Sequence, residues 1–409
     1  MSGLFSKGGI YLQYTDERCE ILSNRQIADG IFDLTVKADY LAQNAGCGQF
    51  ANILCGGLML RRPISICDTD PKAGTARFVY QVKGKGTAWL SQQPAGASLQ
   101  IFGPLGRGFS FIKKPAQVVL IGGGIGSPPM LKTAKTAAEL GIAVHVILGF
   151  RSRQAVILEQ DFKQVAQTVT VCTDDGSYGI HGFVTQALQP LLQQGVGCVM
   201  ACGPTPMLKN VAGMCADTKT PCFVSLEERM GCGVGACMCC VCKIRVRGFS
   251  GYQQVCKSGP VFDGRSVVWY QTKPLESGQF DDAKAVRLAV FCDEQGYDPA
   301  AEFDELDAHA IHLAVYDGAK PIATGRVLPP EDGVCKIGRI AVLKPYRGRS
   351  VGRYLVEDLI EAARQQGANT IRVDAQVQAM PFYQKLGFES YGEEHLDGHI
   401  PHMYMERKL

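Results

Sequence analysis

Met230-Gly-Cys-Gly-Val-Gly-Ala-Cys-Met-Cys-Cys-Val-Cys-Lys243 is followed a short way on by Cys256. Cys232, Cys237, Cys240 and Cys256 give C-x4-C-x2-C and then a fourth cysteine, the plant-type ligand spacing of a [2Fe-2S] cluster. Glycines at 231, 233 and 235 let the backbone curl and turn its N–H groups inward, towards a group that carries negative charge. Four soft thiolates suit iron–sulfur chemistry or zinc. Zinc sites more often use paired C-x2-C knuckles, and a disulfide knot is the third option. The spacing points to an electron-transfer protein.

The 409 residues suggest about three domains. Apolar residues make up 46% and charged residues 20%, an ordinary globular balance with material for several cores. A net charge of +3 is too slight to argue for nucleic acid or an anionic membrane surface. The N-terminus lacks a long apolar stretch and no apolar run reaches membrane-spanning length. With no export signal, 17 cysteines are expected to be reduced thiols and metal ligands in the cytoplasm. Fifteen of them precede residue 265, whereas five of the seven histidines follow it. That step in composition marks a join between units of different chemistry.

Short alternating segments broken by Gly and Pro run from about residue 10 to 112 and predict a small antiparallel barrel. Within it, Arg62-Pro63-Ile64-Ser65 offers a guanidinium beside a rigid proline, suited to holding a phosphate, and a hydroxyl able to reach a flavin edge. Val79-Tyr80-Gln81 then leads to Gly84-Lys-Gly86-Thr87, a turn able to present N–H groups to a pyrophosphate. A basic strand end and a hairpin turn explain either motif alone; their order strengthens both.

Gln117–Ile121 is a buried-strand run that opens into Gly122-Gly123-Gly124-Ile-Gly126 and a helix-like stretch. Such a unit places a pyrophosphate at a helix N-terminus, although many α/β proteins carry a glycine turn only to pack strand on helix. Further strands at 143–149, 169–173 and 198–201 predict an open parallel sheet. The last ends in Cys202-Gly203-Pro204, a turn able to face a nicotinamide ring.

This ordered set, with Gly103-Pro-Leu-Gly106, Gly149-Phe-Arg-Ser152, Glu228-Arg-Met-Gly-Cys232 and Val255–Phe262, resembles the ferredoxin-reductase-like superfamily. The nearest resemblance is to the electron-transfer subunit of NAD-linked (type 1B) dihydroorotate dehydrogenase. It implies a relay in which a separate FMN-containing catalytic subunit oxidises dihydroorotate. Electrons then pass through the [2Fe-2S] cluster to FAD and on to NAD, within a heterotetramer serving pyrimidine biosynthesis. By resemblance the cluster ligands are Cys232, Cys237, Cys240 and Cys256, and the FAD contacts are Arg62–Ser65, Val79–Gln81, Gly86 and Thr87. The family has no counterpart of Cys239 and Cys242; Cys239 would break the x2 spacing, so Cys240 is expected as the ligand. Arg151 and Arg153 stand where a 2′-phosphate is read, or form a solvated basic turn; the resemblance favours NAD.

From Val267 the pattern changes. A strand over 267–272, a helix over 281–292, strands at 309–316, 321–327 and 337–343, a helix to about 366 and a strand at 370–375 predict an α+β unit. Tyr346-Arg347-Gly348-Arg349-Ser350-Val351-Gly352 feeds a helix start, and Pro381-Phe-Tyr383-Gln-Lys-Leu-Gly-Phe388 follows. This half resembles the GNAT N-acetyltransferase superfamily. The resemblance implies acetyl-CoA contacts at Ile340, Val342 and Arg347–Gly352, Tyr383 as the group protonating the departing thiolate, and a small-molecule acyl acceptor. Ser350 replaces the family's first loop glycine. Glu302, Asp304, Asp307, His309 and His402 are candidate bases, none of which sequence singles out.

The expected chain is therefore multidomain: an FAD barrel (10–112), an NAD-binding α/β domain (113–220), a [2Fe-2S] segment (221–265) and a GNAT domain (267–409). The rival reading is an NAD(P)H reductase for another redox partner, with the C-terminal half a CoA-binding or sensing module.

Overall fold

The computed structural model describes residues 14–111, 114–246, 249–276, 279–349 and 351–409. Residues 10–13 and 112 of the expected barrel span, 113 of the expected NAD domain, and Ser350 of the expected CoA loop lie outside the described residues. The chain forms two compact units, Met1–Val267 and Val268–Leu409.

The first unit begins with six strands: β1 (Thr15–Ala28), β2 (Ile31–Lys37), β3 (Phe50–Ile53), β4 (Arg62–Asp70), β5 (Thr75–Gln81) and β6 (Ser98–Leu105). They close into a barrel in the order β1-β2-β5-β4-β3-β6. Alternation drives closure: Cys19, Ile21, Leu34, Val36, Ile66, Phe78, Leu99 and Ile101 point inward and are fully buried.

Strands β7 (Gln117–Gly123), β8 (Ala143–Phe150), β9 (Thr168–Thr173), β10 (Ile180–His181), β11 (Cys198–Cys202) and β12 (Cys222–Ser225) then form a parallel sheet. Its order is β10-β9-β8-β7-β11-β12, with β15 (Val261–Asp263) added antiparallel at the edge. The chain winds outward from β7 in one direction, then returns to place β11 on its other side. Ligand crevices in open α/β sheets open at such a reversal. The helix Pro128–Glu139 packs on β4, where Lys132 donates to Thr69 and Lys135 pairs with Asp68. Arg77 ties the same layers by bonding both Asp33 of β2 and Asp161. A hairpin of β13 (Val241–Val246) and β14 (Phe249–Gln254) follows the cysteine loop.

The second unit is a seven-stranded sheet of β16 (Gln271–Pro274), β17 (Ile311–Asp317), β18 (Lys320–Val327), β19 (Val334–Val342), β20 (Thr370–Gln376), β21 (Glu389–Asp397) and β22 (Ile400–Lys408). Its order is β16-β17-β18-β19-β20-β22-β21, and only the β19–β20 pair is parallel. The helix Val351–Gln365 buries Leu355, Val356, Leu359 and Ile360 against it. Two expectations shift here. The strand placed over 267–272 begins at Gln271, because Val267 bridges back to Ile244 of β13. The helix placed over 281–292 is α-helical only through Arg287; Leu288–Glu294 is a π-helical turn.

A buried charge network occupies the opposite face of this sheet. Arg287 donates to Glu302 at 2.7 Å and to Asp307 at 2.8 Å, while Arg326 bonds Asp304 and Asp307. Arg326 holds the Asp304 carboxyl below its usual range; for Asp307, burial opposes ionisation but Arg287 and Arg326 prevail. Removing one member leaves an opposite charge buried alone, which costs about 3–5 kcal/mol. Arg287→Ala is therefore expected to destabilise the second unit by that amount, read by hydrogen exchange of peptides within 280–342. Because both aspartates have depressed folded values, their stabilisation is present above about pH 4 and is lost as pH falls through those lower values. Urea unfolding of this unit at pH 7, 4 and 3 should give a midpoint that changes little from pH 7 to 4 and drops between pH 4 and 3.

Candidate functional site

The cysteine loop is pinned on both sides. Gly233 and Gly235 have φ of 74° and 82°, a region glycine enters freely. A Cβ on Gly233 would lie 2.1 Å from Asn52 Nδ2, and one on Gly235 would lie 2.4 Å from Lys257 Cδ. Gln254 Nε2 donates to the carbonyls of Gly235 (2.9 Å) and Cys237 (2.7 Å). Glycine is thus required here by close approach as well as by conformation.

The four expected ligands fall into two adjacent pairs. Cys232 Sγ accepts from the N–H groups of Ala236 (3.3 Å) and Cys237 (3.4 Å), and the Cys237 thiol also bonds it. Burial works against the Cys232 thiolate, yet the N–H groups of Cys237, Val234 and Ala236 bring it down to about 6. Cys240 and Cys256 form the second pair: the Cys256 N–H donates to Cys240 Sγ at 3.4 Å. Burial and then the Cys240 thiol push Cys256 up to about 12. Among the described residues no three His, Cys, Asp or Glu side chains converge on one point as a single-metal site would require. A two-iron cluster spreads four thiolates over two metals, and two pairs on a loop of inward N–H groups fit that demand. Cys240 is 1% exposed, whereas Cys239 lies at the surface and Cys242 bonds the Gln253 carbonyl in the hairpin.

The barrel motifs also meet. A Cβ on Gly86 would lie 2.3 Å from Arg62 Nε, so the Arg62 side chain packs directly on the Gly84–Thr87 turn. Thr87 Oγ1 accepts from the N–H groups of Lys83 and Gly84 and closes the turn on itself. Pro63, Ile64 and Ser65 are half-buried on β4. Tyr80 points into the barrel and bonds Asn24, while Val79, on the other face of β5, is buried in the core shared with the nucleotide sheet, which leaves their main chain for a ligand; Gln81 is exposed.

At the sheet reversal the two glycine turns interlock. A Cβ on Gly123 would lie 2.9 Å from Pro204 Cδ, and one on Gly126 would lie 2.5 Å from the Cys202 carbonyl oxygen. Gly122 is closed in by Ser127, and Gly124 has φ of 52° with open space beside it. Gly203 approaches Gly123 backbone to backbone. Ser127 Oγ is buried with no partner among the described residues. Arg153 lies 5.4 Å over the Tyr178 ring, and Arg151 is exposed.

In the second unit, β19 and β20 pair only from Val334↔Thr370 to Ile337↔Val373 and then part. Ile340 and Val342, beyond the fork, pack on the core. Arg347 is committed elsewhere: it forms a two-pronged pair with Glu294 at 2.5 and 2.8 Å and donates to the Val342 carbonyl. Gly348 has φ of 76°, Arg349 lies over Tyr346, Val351 is buried in the core, and a Cβ on Gly352 would make only ordinary contacts with Val342 and Phe382. Tyr383 is buried between Phe382 and Phe388, and burial raises its hydroxyl well above the usual tyrosine range. Of the candidate bases, Glu302, Asp304 and Asp307 are consumed by the arginine network, His309 is exposed, and His402 bonds the Ile400 carbonyl.

Asn52 escaped the sequence reading. It sits opposite Pro63 in the β3–β4 register and touches Gly233 of the cysteine loop, with Oδ1 buried and unpartnered among the described residues. An Asn inside a strand carries no signal in sequence; only the closed barrel shows that it stands between two motifs.

Comparison with known proteins agrees with this geometry. Residues 227–268 match the iron-sulfur cluster binding domain of dihydroorotate dehydrogenase B, and residues 278–388 match the acetyltransferase (GNAT) family. The "Dihydroorotate dehydrogenase B (NAD(+)), electron transfer subunit" of Geobacillus thermodenitrificans is 42% identical over 259 residues, 62% of this chain and 98% of the relative. That of Streptococcus mutans is 40% identical over 256 residues, with 62% and 98% covered. A solved NADH-dependent reduced ferredoxin-NADP oxidoreductase, studied for flavin-based electron bifurcation, is 31% identical with a TM-score of 0.57, covering 61% of this chain and 90% of that one. No helix among the described residues is long and apolar enough to cross a membrane.

The interlocked turns make a steric prediction. Gly126→Ala forces a methyl group against the Cys202 carbonyl, and overpacking of this kind costs about 1–3 kcal/mol. Thermal unfolding of the first unit should show that loss, while Gly124→Ser, in open space, is penalised only for its backbone conformation.

Proposed function

Because this chain belongs to the family of dihydroorotate dehydrogenase B electron-transfer subunits, we propose that its first unit carries electrons from a separate dihydroorotate-oxidising, FMN-containing subunit to NAD. The observation that carries this reading is the pairing of Cys232 with Cys237 and of Cys240 with Cys256 on a loop packed against the barrel. Those four thiolates would hold the [2Fe-2S] cluster. Arg62 would take the flavin phosphates with the 84–87 turn behind it, and Pro63, Ile64, Ser65 and the main chain of Val79–Gln81 would line the ring. Gly122–Gly126 and Cys202–Pro204 would hold NAD across the sheet reversal, the first by backbone N–H groups and the second beside the nicotinamide. When bound, FAD exchanges electron pairs with NAD and single electrons with the cluster. The chain's own contribution would be to fix these sites within one compact unit, with Cys240 and Cys256 buried and Cys232 and Cys237 partly exposed.

We propose in addition that the second unit is an acetyl-CoA-dependent N-acetyltransferase. Its support is the parting of β19 and β20 at a sheet fork; Tyr383, buried beside Phe382 and Phe388, would return a proton to the departing thiolate. With Arg347 paired to Glu294, Arg349, which lies over Tyr346 and bonds Tyr270, and the N–H groups at Val351 and Gly352 would meet the CoA phosphates. The likeness to a ferredoxin-NADP oxidoreductase favours a second reading of the first unit, a nicotinamide-linked reductase serving another carrier.

Co-expression with the cognate FMN subunit tests the first reading: dihydroorotate should reduce NAD only when both chains are present. Reduction of a ferredoxin with no response to dihydroorotate would favour the second. Cys240→Ser should lose its iron, whereas Cys239→Ser should keep about two irons per chain; iron retained in the former would overturn the ligand assignment. Gly86→Ala, which displaces Arg62, should lower FAD retention after gel filtration, read as the ratio of flavin to protein absorbance.

A further inference from the structure

Asn52 stands where three elements of the first unit meet. In register it lies opposite Pro63 of β4 and Phe102 of β6. Side chains alternate along a strand. Ala51 and Ile53 belong to the barrel core, so Asn52 is on the other face of β3. Ile64 packs on that core and Ile66 lies within it, which puts Pro63 and Ser65 of the expected flavin motif on the same face as Asn52. The cysteine loop bears on that face: a Cβ on Gly233 would lie 2.1 Å from Asn52 Nδ2 and 3.6 Å from Leu105 Cδ1. One amide thus touches the residue next to Cys232 and adjoins the strand that begins with Arg62.

Asn52 is 3% exposed, and its Oδ1 is shut off from water with no hydrogen-bond partner among the described residues. Buried polar groups are nearly always bonded, and an unmet acceptor is destabilising. Leucine, branched at the same carbon, would carry no such cost in a strand position this tightly packed. The unmet acceptor lies at the seam between the cysteine loop and the flavin strand, the two sites that the proposed function fills. An amide has a donor side and an acceptor side, so a single residue can answer to both.

We propose that Asn52 couples the two cofactor sites of the first unit, so that a filled cysteine loop tightens the hold on FAD and bound FAD in turn protects the cluster. The inference rests on the FAD and [2Fe-2S] reading of this unit. Once Cys232 and its partners are ligated, the backbone at Gly233 is fixed, and Gly233 confines Asn52 against Pro63. Pro63 stands between Arg62, which would hold the flavin phosphates, and Ile64 and Ser65, which would line the ring. With the loop loose, the amide is free to turn towards water for its missing bond, and β4 loses the packing that holds this motif in place. Coupling of this kind is reciprocal: whatever factor the cluster adds to FAD affinity, FAD adds to cluster affinity. Asn52 is a positioning residue that acts through Gly233 on one side and Pro63 on the other.

The test uses the full chain, handled anaerobically, with its cluster reconstituted or removed by a chelator, and reads FAD affinity from the quenching of flavin fluorescence. In wild type FAD should bind about 5-fold or more tightly with the cluster than without it, the lower end of coupling between sites. FAD should slow the loss of iron to a chelator by a similar factor. In Asn52→Leu both effects should fall to within about two-fold, while each cofactor still binds. Should that variant not fold, Asn52→Ser, whose shorter side chain lacks the amide, is expected to lose the coupling in the same way. Wild-type FAD affinity that ignores the cluster would overturn the proposal, and so would full coupling retained in either variant. A weaker hold on FAD in Asn52→Leu that keeps its dependence on the cluster would mark a merely structural role and overturn it equally. A wild-type chain that binds no FAD, or takes up no iron, removes the two-cofactor reading itself, and this proposal with it.

Discussion

Five residues after Cys256 hold the first unit together. Gly259 accepts from the Arg107 N–H at the end of the barrel, and Val261 donates back to the Arg107 carbonyl. Pro260 accepts from Leu226, and Val261–Asp263 then joins the edge of the nucleotide sheet. One strap thus bonds the barrel, the sheet and the segment carrying the last cysteine. Electron transfer depends on fixed separations between carriers, and this strap leaves the cysteine loop little freedom to move relative to either layer. The contact of Asn52 with Gly233 adds a second restraint from inside the barrel.

The same economy appears at the sheet reversal. The strand order brings β7 beside β11, and glycines at 122, 123, 126 and 203 let the two turns approach to distances that any side chain would forbid. In the second unit the opening arises differently, from a bulge that parts two strands. Each unit has its own buried core, and each contains its own candidate site.

Much of this was legible in sequence because the signals are local. The C-x4-C-x2-C run, the alternation of Leu34 and Val36, and the glycine turn after Ile121 each encode geometry within a few residues. The structure buries Cys240 and exposes Cys239. What sequence could not convey depends on distant partners. Nothing in the loop around Arg347 announces Glu294, and nothing near Glu302 or Asp307 announces the arginines on other elements that neutralise them. The strands Glu389–Asp397 and Ile400–Lys408 went unread because their outward faces are polar and their pairing is set by β20. His395 and Asp374 become a pair only through that pairing.

The most direct measurement is an anaerobic titration of the purified chain with NADH, followed together by visible absorption and electron paramagnetic resonance. The account predicts bleaching of an FAD band and a paramagnetic signal from a reduced two-iron cluster, with about two irons per chain. Flavin bleaching without any cluster signal, or zinc in place of iron, would contradict it.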